Sequence, residues 1–292
     1  PDDKIGWLIN AFLKALRIIK KEKIDIIYST SGPYTSHLIG LLLKKFTRKP
    51  WVVDFRDPWY QYAEKSSPTI IHKKITAFLK RKVVKNADVV LSVTEPIIGD
   101  FRKDYPEYKN KFSLITNGFD EDDFKGIDSL PFDKFTVTYA GTLHGSNCNP
   151  LYFLEAFNEF LFEVKDTKDN SEIIFVGNID KPNKKSIDDF ILERPIKDIV
   201  RFVPYVPHKE SIKTICKSHL LFLVELRENV FTGKIFEYLA SKTPILALVR
   251  GNSVIGNMIR KYNAGIVIDP ENKNQIKETL KAHYNNFLNK KT

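Results

Sequence analysis

The sequence predicts an α/β protein with two doubly wound parallel sheets, and three observations support this prediction. Short runs rich in Val, Ile and Leu alternate with longer amphipathic patterns along the 292 residues, as they do in βα units. The runs are continuously apolar, which is typical of parallel strands covered on both faces. They form two arrays on either side of 120–134, a polar stretch whose Gly and Pro favour a linker. We therefore expect domains at 1–125 and 126–292.

The first array begins with a helix and contains four predicted strands. The apolar pattern at 6–23 predicts an amphipathic helix, and strands are predicted at 24–30, 51–56, 88–93 and 112–117. The chain opens on a helix rather than a strand, and its only methionine is Met258. We therefore expect that it belongs to a longer protein, whose first βα units precede this sequence.

The second array is longer and accounts for a whole domain. Its six predicted strands lie at 135–142, 172–178, 200–206, 220–226, 244–249 and 265–269. A long amphipathic helix is predicted at 150–164, between the first two strands.

The composition places the chain among soluble globular proteins. Hydrophobic residues make up 42% and charged residues 28% of the sequence, both ordinary values for such a protein. The two cysteines, Cys148 and Cys216, are too few for a disulfide framework and fit a reducing compartment. No apolar run approaches the roughly 18–20 residues of a membrane span, and no signal peptide is recognisable. A cytoplasmic location is therefore expected.

The net charge of +10 comes from the first array. Residues 1–119 contain 22 Lys and Arg against 12 Asp and Glu, whereas residues 120–292 contain 24 of each. No Arg-Gly repeat, zinc-finger spacing or basic zipper is present, so no nucleic-acid partner is expected. The basic half is either a solvated lysine-rich surface or one attracted to an anionic membrane.

The segment 72–85 is the best candidate for contact with a membrane. Four apolar residues can share one helical face while lysines fill the others; these are Ile75, Phe78, Leu79 and Val83. A basic amphipathic helix of this kind can lie on the inner membrane surface, so peripheral attachment is the expectation.

The stretch FTGKIFEYLASKTPILAL (231–248) predicts a helix that begins at Gly233 and Lys234, and a strand after Pro244. A lysine in the first turn faces the positive end of the helix dipole, which costs about 0.3–1 kcal/mol. An anion bound there would remove the conflict, and helix N-termini are natural anion sites. This helix start is therefore a candidate phosphate site.

Polar loops follow the predicted strands, and ligands of doubly wound sheets bind outside these carboxyl ends. The loops include STSGPYTSH and DFRDPW in the first array, and AGTLHGSNCNP and ELRENVFTGK in the second. No P-loop, G-x-G-x-x-G, zinc-ligand spacing or G-x-S-x-G elbow is present. The usual nucleoside-triphosphate, nicotinamide, zinc and serine-hydrolase sites are therefore not expected.

Taken in order, these loops resemble those of the retaining family-4 (group 1) glycosyltransferases. DIIYSTSGPYTSHLIGLLLKK with KPWVVDFRDPW resembles the acceptor domain of bacterial members, and LITNGFDEDDF resembles the segment leading into the hinge. YAGTLHGSNCNP and VPYVPHKESI with GKIFEYLASKTPILAL resemble the donor domain. The resemblance implies the GT-B fold, in which two Rossmann-like domains face a cleft, with the first strands of the N-terminal domain missing here.

The resemblance also implies roles for individual residues of the second array. The helix start at Thr232, Gly233 and Lys234 would hold the diphosphate of a nucleotide-sugar of the UDP or GDP type, and Glu237 would grip its ribose. Without the resemblance, Glu237 reads as a solvated helix residue. The complete donor set is Gly141, Thr142, Gly177, Tyr205, Arg227, Glu228, Asn229, Thr232, Gly233, Lys234 and Glu237.

Two positions depart from the family pattern. The glutamate expected eight residues before Glu237 is Asn229, with Glu228 adjacent, so either residue could meet the donor sugar. Thr142 stands where many members carry an arginine after the glycine, which leaves phosphate binding to Lys234, Arg227 and the backbone.

The candidate catalytic residues of the first array are His37, Arg56, Asp57 and Glu95, with Asp54 beside them. Each has an alternative structural role. Arg56 and Asp57 could form an ion pair that stabilises a turn, His37 could pack on the sheet, and Glu95 could complement a helix dipole.

The predicted function is transfer of a sugar, with retention, from a nucleotide-sugar to a saccharide or lipid-linked acceptor in bacterial surface-polysaccharide synthesis. No Asp-x-Asp metal site is present, so neither a metal nor another cofactor is expected. The rival predictions are a sugar-nucleotide epimerase or hydrolase of the same fold, and a non-catalytic domain that binds nucleotide-sugar or membrane.

Overall fold

The computed structural model describes residues 2–57, 59, 69–127 and 130–291. The chain divides into two compact units, residues 1–116 (unit 1) and residues 117–292 (unit 2). In each unit the described strands form one parallel sheet with helices packed against it. The predicted α/β class is therefore confirmed.

The described part of unit 1 contains a four-stranded parallel sheet in the order β1-β2-β3-β4. Its strands are β1 (Ile27–Thr30), β2 (Trp51–Phe55), β3 (Val89–Ser92) and β4 (Phe112–Leu114). Its helices are α1 (Leu8–Lys21), α2 (Thr35–Thr47), α3 (Ile70–Asn86) and α4 (Glu95–Asp104).

The core of unit 1 forms where α2, α3 and α4 pack on this sheet. Trp51 at the start of β2 is fully buried, and its indole N–H donates to the Ser29 hydroxyl at 2.9 Å. Helix α2 approaches the indole so closely that a Cβ on Gly40 would lie 2.5 Å from Trp51 Nε1. Glycine at position 40 is therefore required by packing.

The described part of unit 2 contains a six-stranded parallel sheet in the order β10-β9-β8-β5-β6-β7. Its strands are β5 (Phe135–Ala140), β6 (Ser171–Val176), β7 (Val200–Val203), β8 (Leu220–Glu225), β9 (Ile245–Val249) and β10 (Gly265–Ile268). Its helices are α5 (Leu151–Glu163), α6 (Thr167–Asn170), α7 (Lys181–Ile191), α8 (His208–Lys217), α9 (Lys234–Ser241), α10 (Val254–Lys261) and α11 (Lys273–Lys291).

Two hydrophobic layers sandwich the second sheet. An aromatic layer, which includes Phe153, Phe157 and Phe160 of α5, packs with Leu280 of α11 on one face. An aliphatic layer that includes Ile212 of α8 covers the other face, together with residues of α9 and α10. Because both faces are covered, the strands are continuously apolar, as the sequence pattern predicted.

All ten predicted strands are present within the described residues. Their ends lie within three residues of the predicted positions, and β6 begins one residue earlier than predicted, at Ser171. The boundary between the two units differs from the predicted 125/126 and lies at 116/117. The reason is packing: Phe124 and Ile127 lie against the aliphatic layer of unit 2. The segment expected to be a linker is therefore largely part of unit 2.

No helix among the described residues is both long enough and apolar enough to cross a bilayer.

We predict that Gly40→Ala destabilises unit 1 by about 1–3 kcal/mol, because the new methyl group overpacks the buried Trp51 indole. The matched control is Gly99→Ala in α4, where a Cβ meets no atom within 4 Å. That change should stabilise unit 1 by about 0.5–1 kcal/mol through helix propensity. All three tryptophans, Trp7, Trp51 and Trp59, lie in unit 1, so urea unfolding followed by tryptophan fluorescence reports on it. Equal effects of the two substitutions would contradict the packing argument.

Candidate donor site

The sheet of unit 2 reverses its winding between β5 and β8. From β5 the chain proceeds outward to β6 and β7, then returns to place β8 on the other side of β5. The β5–β8 ladder contains only the pairs Val137–Leu220 and Thr138–Leu221, so it ends before the carboxyl ends of the two strands. A switch point of this kind is where doubly wound sheets bind ligands.

Helix α9 is fixed at this switch point by Tyr238. Its side chain is fully buried, and its hydroxyl accepts the Ala140 N–H of β5 at 2.8 Å and donates to the Phe222 carbonyl of β8 at 3.3 Å. One helical turn before Tyr238 lies Lys234, the first residue of α9. The start of the helix is therefore held beside the ends of both strands.

The N-terminus of α9 has no side-chain cap. Gly233 precedes the helix with helical dihedral angles, φ −54° and ψ −36°. The hydroxyl of Thr232 is buried and has no hydrogen-bond partner among the described residues. Uncapped helix starts carry unsatisfied N–H groups and a partial positive charge, so this one can accept an anion.

The ammonium of Lys234 lies over the Tyr139 ring, 3.7 Å from its centroid, and donates to the Tyr139 hydroxyl. That hydroxyl in turn donates to the Thr142 carbonyl at 3.0 Å. Burial lowers the pKa of Lys234 to about 8. The cation is therefore positioned on the loop that follows β5, where Thr142 itself supplies no charge.

Two glycines allow this close packing. A Cβ on Gly141, whose φ is +125°, would lie 3.0 Å from Lys234 Cε. A Cβ on Gly177, whose φ is +113°, would lie 2.6 Å from the Gly141 carbonyl oxygen. Both dihedral angles favour glycine; a Cβ at position 177 would clash with backbone, and one at position 141 would displace the Lys234 side chain. Gly141 and Gly177 thus shape the crevice through their missing side chains.

Arg227 is engaged by Glu225, a fully buried residue at the end of β8. Its Nε and Nη2 donate to the two carboxylate oxygens of Glu225, each at 2.8 Å, and its backbone N–H donates to Oε1 at 3.0 Å. The thiol of Cys148 lies 3.7 Å from Glu225 Oε2. A bidentate bond of this kind neutralises the guanidinium charge. Of the two cations predicted to meet phosphate, Lys234 is therefore better placed than Arg227.

Glu237 lies one turn into α9 and is not a freely solvated side chain. Its Oε1 is 2.9 Å from Nε2 of His208, and Nδ1 of His208 is 3.5 Å from a carboxylate oxygen of Asp123. The hydrogen bond to Glu237 raises the pKa of His208 above its usual value.

The remaining predicted donor residues are exposed. Tyr205 follows β7, and Glu228 and Asn229 lie in the loop after β8. That loop is connected to its neighbours, since the Leu226 N–H donates to the Asn147 carbonyl at 3.0 Å and the Val254 N–H donates to the Glu228 carbonyl at 2.8 Å. Glu228 also lies 3.7 Å from Arg250. Both candidates for the sugar contact therefore remain accessible.

In unit 1 the carboxyl ends of β1 and β2 share a polar cluster around Asp54. Its Oδ2 accepts the Tyr28 hydroxyl at 2.7 Å and the Thr30 hydroxyl at 3.0 Å. Directly after β2, Arg56 is exposed and Asp57 is half-buried, and no ion pair joins these two described residues. The alternative role predicted for this pair, an ion pair that stabilises a turn, is therefore not observed. Pro58, the next residue of the predicted turn, lies outside the described residues.

His37 is a core residue and not an exposed catalytic group. It is 0% exposed and packs against Phe55 and Trp59. Its Nδ1 lies 3.0 Å from the Ser29 hydroxyl, and burial lowers its pKa to about 3, which keeps the ring neutral. The structure thus favours the packing role, which the sequence left open, over the predicted catalytic one.

Glu95 occupies the first turn of α4, which Thr94 caps by accepting the Ile97 N–H. Its carboxylate forms an ion pair with Arg102 at 2.5 Å. Both features belong to a helix-stabilising glutamate, the alternative role predicted from the sequence.

Family models now identify the chain. A model described as glycosyl transferases group 1 matches residues 120–290, which is more than half of the chain, and a model described as glycosyltransferase family 4 matches residues 1–123. The chain belongs to the group 1 glycosyltransferases. A sequence comparison with curated proteins finds no match.

Solved structures similar to this group 1 glycosyltransferase share its GT-B fold. Sucrose-phosphate synthase of Thermosynechococcus elongatus matches with a TM-score of 0.69 and 16% sequence identity. The match covers 97% of this chain and 70% of the synthase chain. A glycosyltransferase of Rickettsia africae matches with a TM-score of 0.64 and 16% identity, over 99% of this chain and 78% of the Rickettsia chain. Anabaena HepE in complex with UDP matches with a TM-score of 0.64 and 14% identity, over 97% of this chain and 78% of the HepE chain.

Sequence reasoning missed several residues that build the site of this group 1 glycosyltransferase. They are Tyr139, Glu225, Tyr238 and His208. Glu225 gave a detectable signal, because a carboxylate that ends the apolar run LLFLVE needs a partner and Arg227 follows two residues later. Tyr139 and Tyr238 gave none, since each lies within an apolar pattern that also fits a simple core residue.

Proposed function

We propose that this glycosyltransferase transfers a sugar with retention from a nucleotide-sugar of the UDP or GDP type. The acceptor is a saccharide or lipid-linked saccharide of a cell-surface polysaccharide. The proposal rests on one observation: the uncapped start of α9, with Lys234 as its first residue, lies at the switch point between β5 and β8.

The diphosphate of the donor is assigned to the N-terminus of α9. Backbone N–H groups of Gly233 and Lys234 can donate to phosphate oxygens, and the buried Thr232 hydroxyl is a further donor. The ammonium of Lys234 supplies the positive charge. These groups also stabilise the negative charge that develops on the diphosphate as the sugar departs, so catalysis needs no metal.

The ribose is assigned to Glu237 because its carboxylate lies one turn along the same helix. A carboxylate can accept two hydrogen bonds from vicinal hydroxyls. The donor sugar is assigned to the exposed pair Glu228 and Asn229 in the loop after β8. UDP is the first nucleotide to test, since the similar structure of HepE contains it.

Retention follows if the departing diphosphate removes the proton of the acceptor hydroxyl on the same face of the sugar. The protein then contributes position and electrostatic stabilisation instead of a general base. This agrees with the burial of His37, which leaves unit 1 without that candidate base. Asp54, Arg56 and Asp57 are the residues of unit 1 assigned to the acceptor.

Lys234→Ala should weaken UDP binding about 10- to 100-fold, because a charge-assisted bond to phosphate contributes about 1.5–3 kcal/mol. Uridine, which has no phosphate, should bind both proteins equally. Lys185→Ala, which removes an exposed lysine of α7, is the matched control and should leave UDP binding unchanged. Calorimetric titration provides the measurement.

The pH dependence of UDP binding, measured by the same titration, further tests the role of Lys234 in binding the diphosphate. The pKa of Lys234 is lowered to about 8 in the free protein, and a bound diphosphate favours the charged amine. UDP affinity should therefore fall as the pH rises from 8 to 10, in the wild type but not in Lys234→Ala. Equal affinity of wild type and variant for UDP would place the anion site elsewhere.

Turnover separates the proposed transferase from its rivals. Sugar transfer should require both donor and acceptor, whereas an epimerase or hydrolase would convert the nucleotide-sugar without an acceptor. Binding of UDP with no turnover of any nucleotide-sugar or acceptor pair would favour a non-catalytic domain.

We further propose that α3 holds the enzyme on an anionic membrane surface, where a lipid-linked acceptor would be found. The helix contains six Lys and Arg and no acidic residue. Ile71, Ile75 and Phe78 follow one another at helical spacing and are all exposed, and Lys82 lies 5.3 Å from the Phe78 ring centroid. Exposed apolar side chains among basic ones are typical of helices that lie on membranes.

The predicted face of this helix is only partly correct. Ile75 and Phe78 are exposed as expected, but Val83 is buried and Leu79 packs against the core of unit 1. The apolar residues of α3 therefore divide between a face that packs on the sheet and a face that is available to lipid.

We predict that the protein binds vesicles that contain phosphatidylglycerol, that high salt weakens this binding, and that phosphatidylcholine vesicles bind little protein. Phe78→Ser should reduce binding severalfold in a sedimentation assay. The matched control is Phe162→Ser, since Phe78 is 58% exposed and Phe162 on α5 is 70% exposed. Equal losses from both variants, or no binding to anionic vesicles, would exclude α3 as the membrane face.

A further inference from the structure

The imidazole of His208 joins two carboxylates that come from different elements. His208 is the first residue of α8, Glu237 lies on α9, and Asp123 lies in the 3₁₀ turn Glu121–Phe124. The distances are 2.9 Å from Nε2 to Glu237 Oε1 and 3.5 Å from Nδ1 to Asp123 Oδ2. These two carboxylates are the charged groups that face His208 from the elements packed against it.

The protonation state of His208 determines how many of these contacts are donated hydrogen bonds. A neutral imidazole carries one N–H and can donate to one carboxylate, whereas an imidazolium donates to both. Two facing carboxylates favour the imidazolium, and the pKa of His208 is raised accordingly. In its protonated form the ring therefore connects Glu237 to the turn that contains Asp123.

We propose that His208 is a positioning residue for Glu237, which orients the carboxylate toward the ribose of the donor. The role rests on the proposed function, in which Glu237 is the ribose ligand. His208 Nε2 holds Oε1, so that the carboxylate plane is fixed before the nucleotide arrives and Oε2 is left for a ribose hydroxyl. Asp123 fixes the opposite edge of the ring. Preorganisation of this kind strengthens binding by reducing the entropy that the ligand must overcome.

The positioning role of His208 predicts that UDP affinity depends on pH in a way that differs from the effect of Lys234. As the pH rises through the pKa of His208, the ring loses its charge, so that its bond to Glu237 is no longer charge-assisted and its ion pair with Asp123 is lost. Ribose-dependent affinity should then decrease. Inorganic pyrophosphate, which has no ribose, should lack the dependence that belongs to His208. Its affinity should follow only its own ionisation and, above pH 8, that of Lys234.

Calorimetric titration of UDP and of pyrophosphate on three proteins tests the proposal. His208→Ala should bind UDP about three- to tenfold more weakly than the wild type, the effect of one hydrogen bond, and pyrophosphate equally well. His208→Gln places an amide N–H near the position of Nε2 without a titrating group. It should bind UDP within about twofold of the wild type and show no His208-dependent change between pH 6 and 8.

The outcomes separate this role from the proposed function. Equal UDP affinity in His208→Ala and the wild type would overturn the role and leave the donor site intact. Equal losses of UDP and pyrophosphate affinity in His208→Ala would also overturn it, because they indicate a structural effect. If the wild-type protein bound neither ligand, the donor site itself would be wrong, and this role with it.

A measurement without ligand tests the contact directly. The ring signals of His208, assigned by their loss in His208→Gln, can be titrated by NMR in the wild type and in Glu237→Gln. The pKa of His208 should lie above 6.5 in the wild type and fall in Glu237→Gln. An unchanged pKa would mean that Glu237 does not hold the ring and would overturn the proposal.

Discussion

The candidate donor site depends on the way β5 and β8 separate at the centre of the second sheet. Their ladder ends after two residue pairs, so the Ala140 N–H of β5 would remain unsatisfied without another partner. The buried Tyr238 hydroxyl supplies that partner and bonds to β8 as well. Because an unpaired buried N–H is costly, this one side chain fixes α9 against both strands. Lys234 and Glu237 are placed by the same contact.

Electrostatics distinguish the two cations of the candidate site. Glu225 is fully buried, and a buried carboxylate requires a partner, which Arg227 provides through two hydrogen bonds. Lys234 instead lies over a neutral aromatic ring and bonds to a neutral hydroxyl. Its charge is therefore not cancelled by a carboxylate in direct contact. Lys234 is thus the cation held next to the loop that contains Thr142, which itself carries no charge.

Much of this arrangement could be predicted from the sequence because it depends on local patterns. The ten strands follow from apolar runs, and the start of α9 follows from Gly233 and Lys234 before an amphipathic pattern. The boundary at 116/117 could not be predicted, since the packing of Phe124 on a distant layer overrides the polar character of its neighbours. His37 illustrates the same limit: its neighbours in LIGLLL form an apolar helix face, but only the fold shows that the ring lies inside.

Contacts between distant residues explain the rest of what was missed. Tyr139 and Lys234 are 95 residues apart, and His208 and Glu237 are 29 residues apart. No local periodicity marks either pair, whereas Glu225 and Arg227 are close enough in sequence to have been paired. The residues assigned to direct binding thus lie in local sequence motifs, whereas the residues proposed to position them do not.

The central claim is that the diphosphate of the donor binds at the start of α9, and a crystal structure of the protein with bound UDP tests it most directly. We expect phosphate oxygens within hydrogen-bond distance of the Gly233 and Lys234 N–H groups and of Lys234 Nζ, with a ribose hydroxyl on Glu237. UDP bound away from the crevice between β5 and β8, or with its ribose at the helix start and its phosphates in solvent, would contradict it.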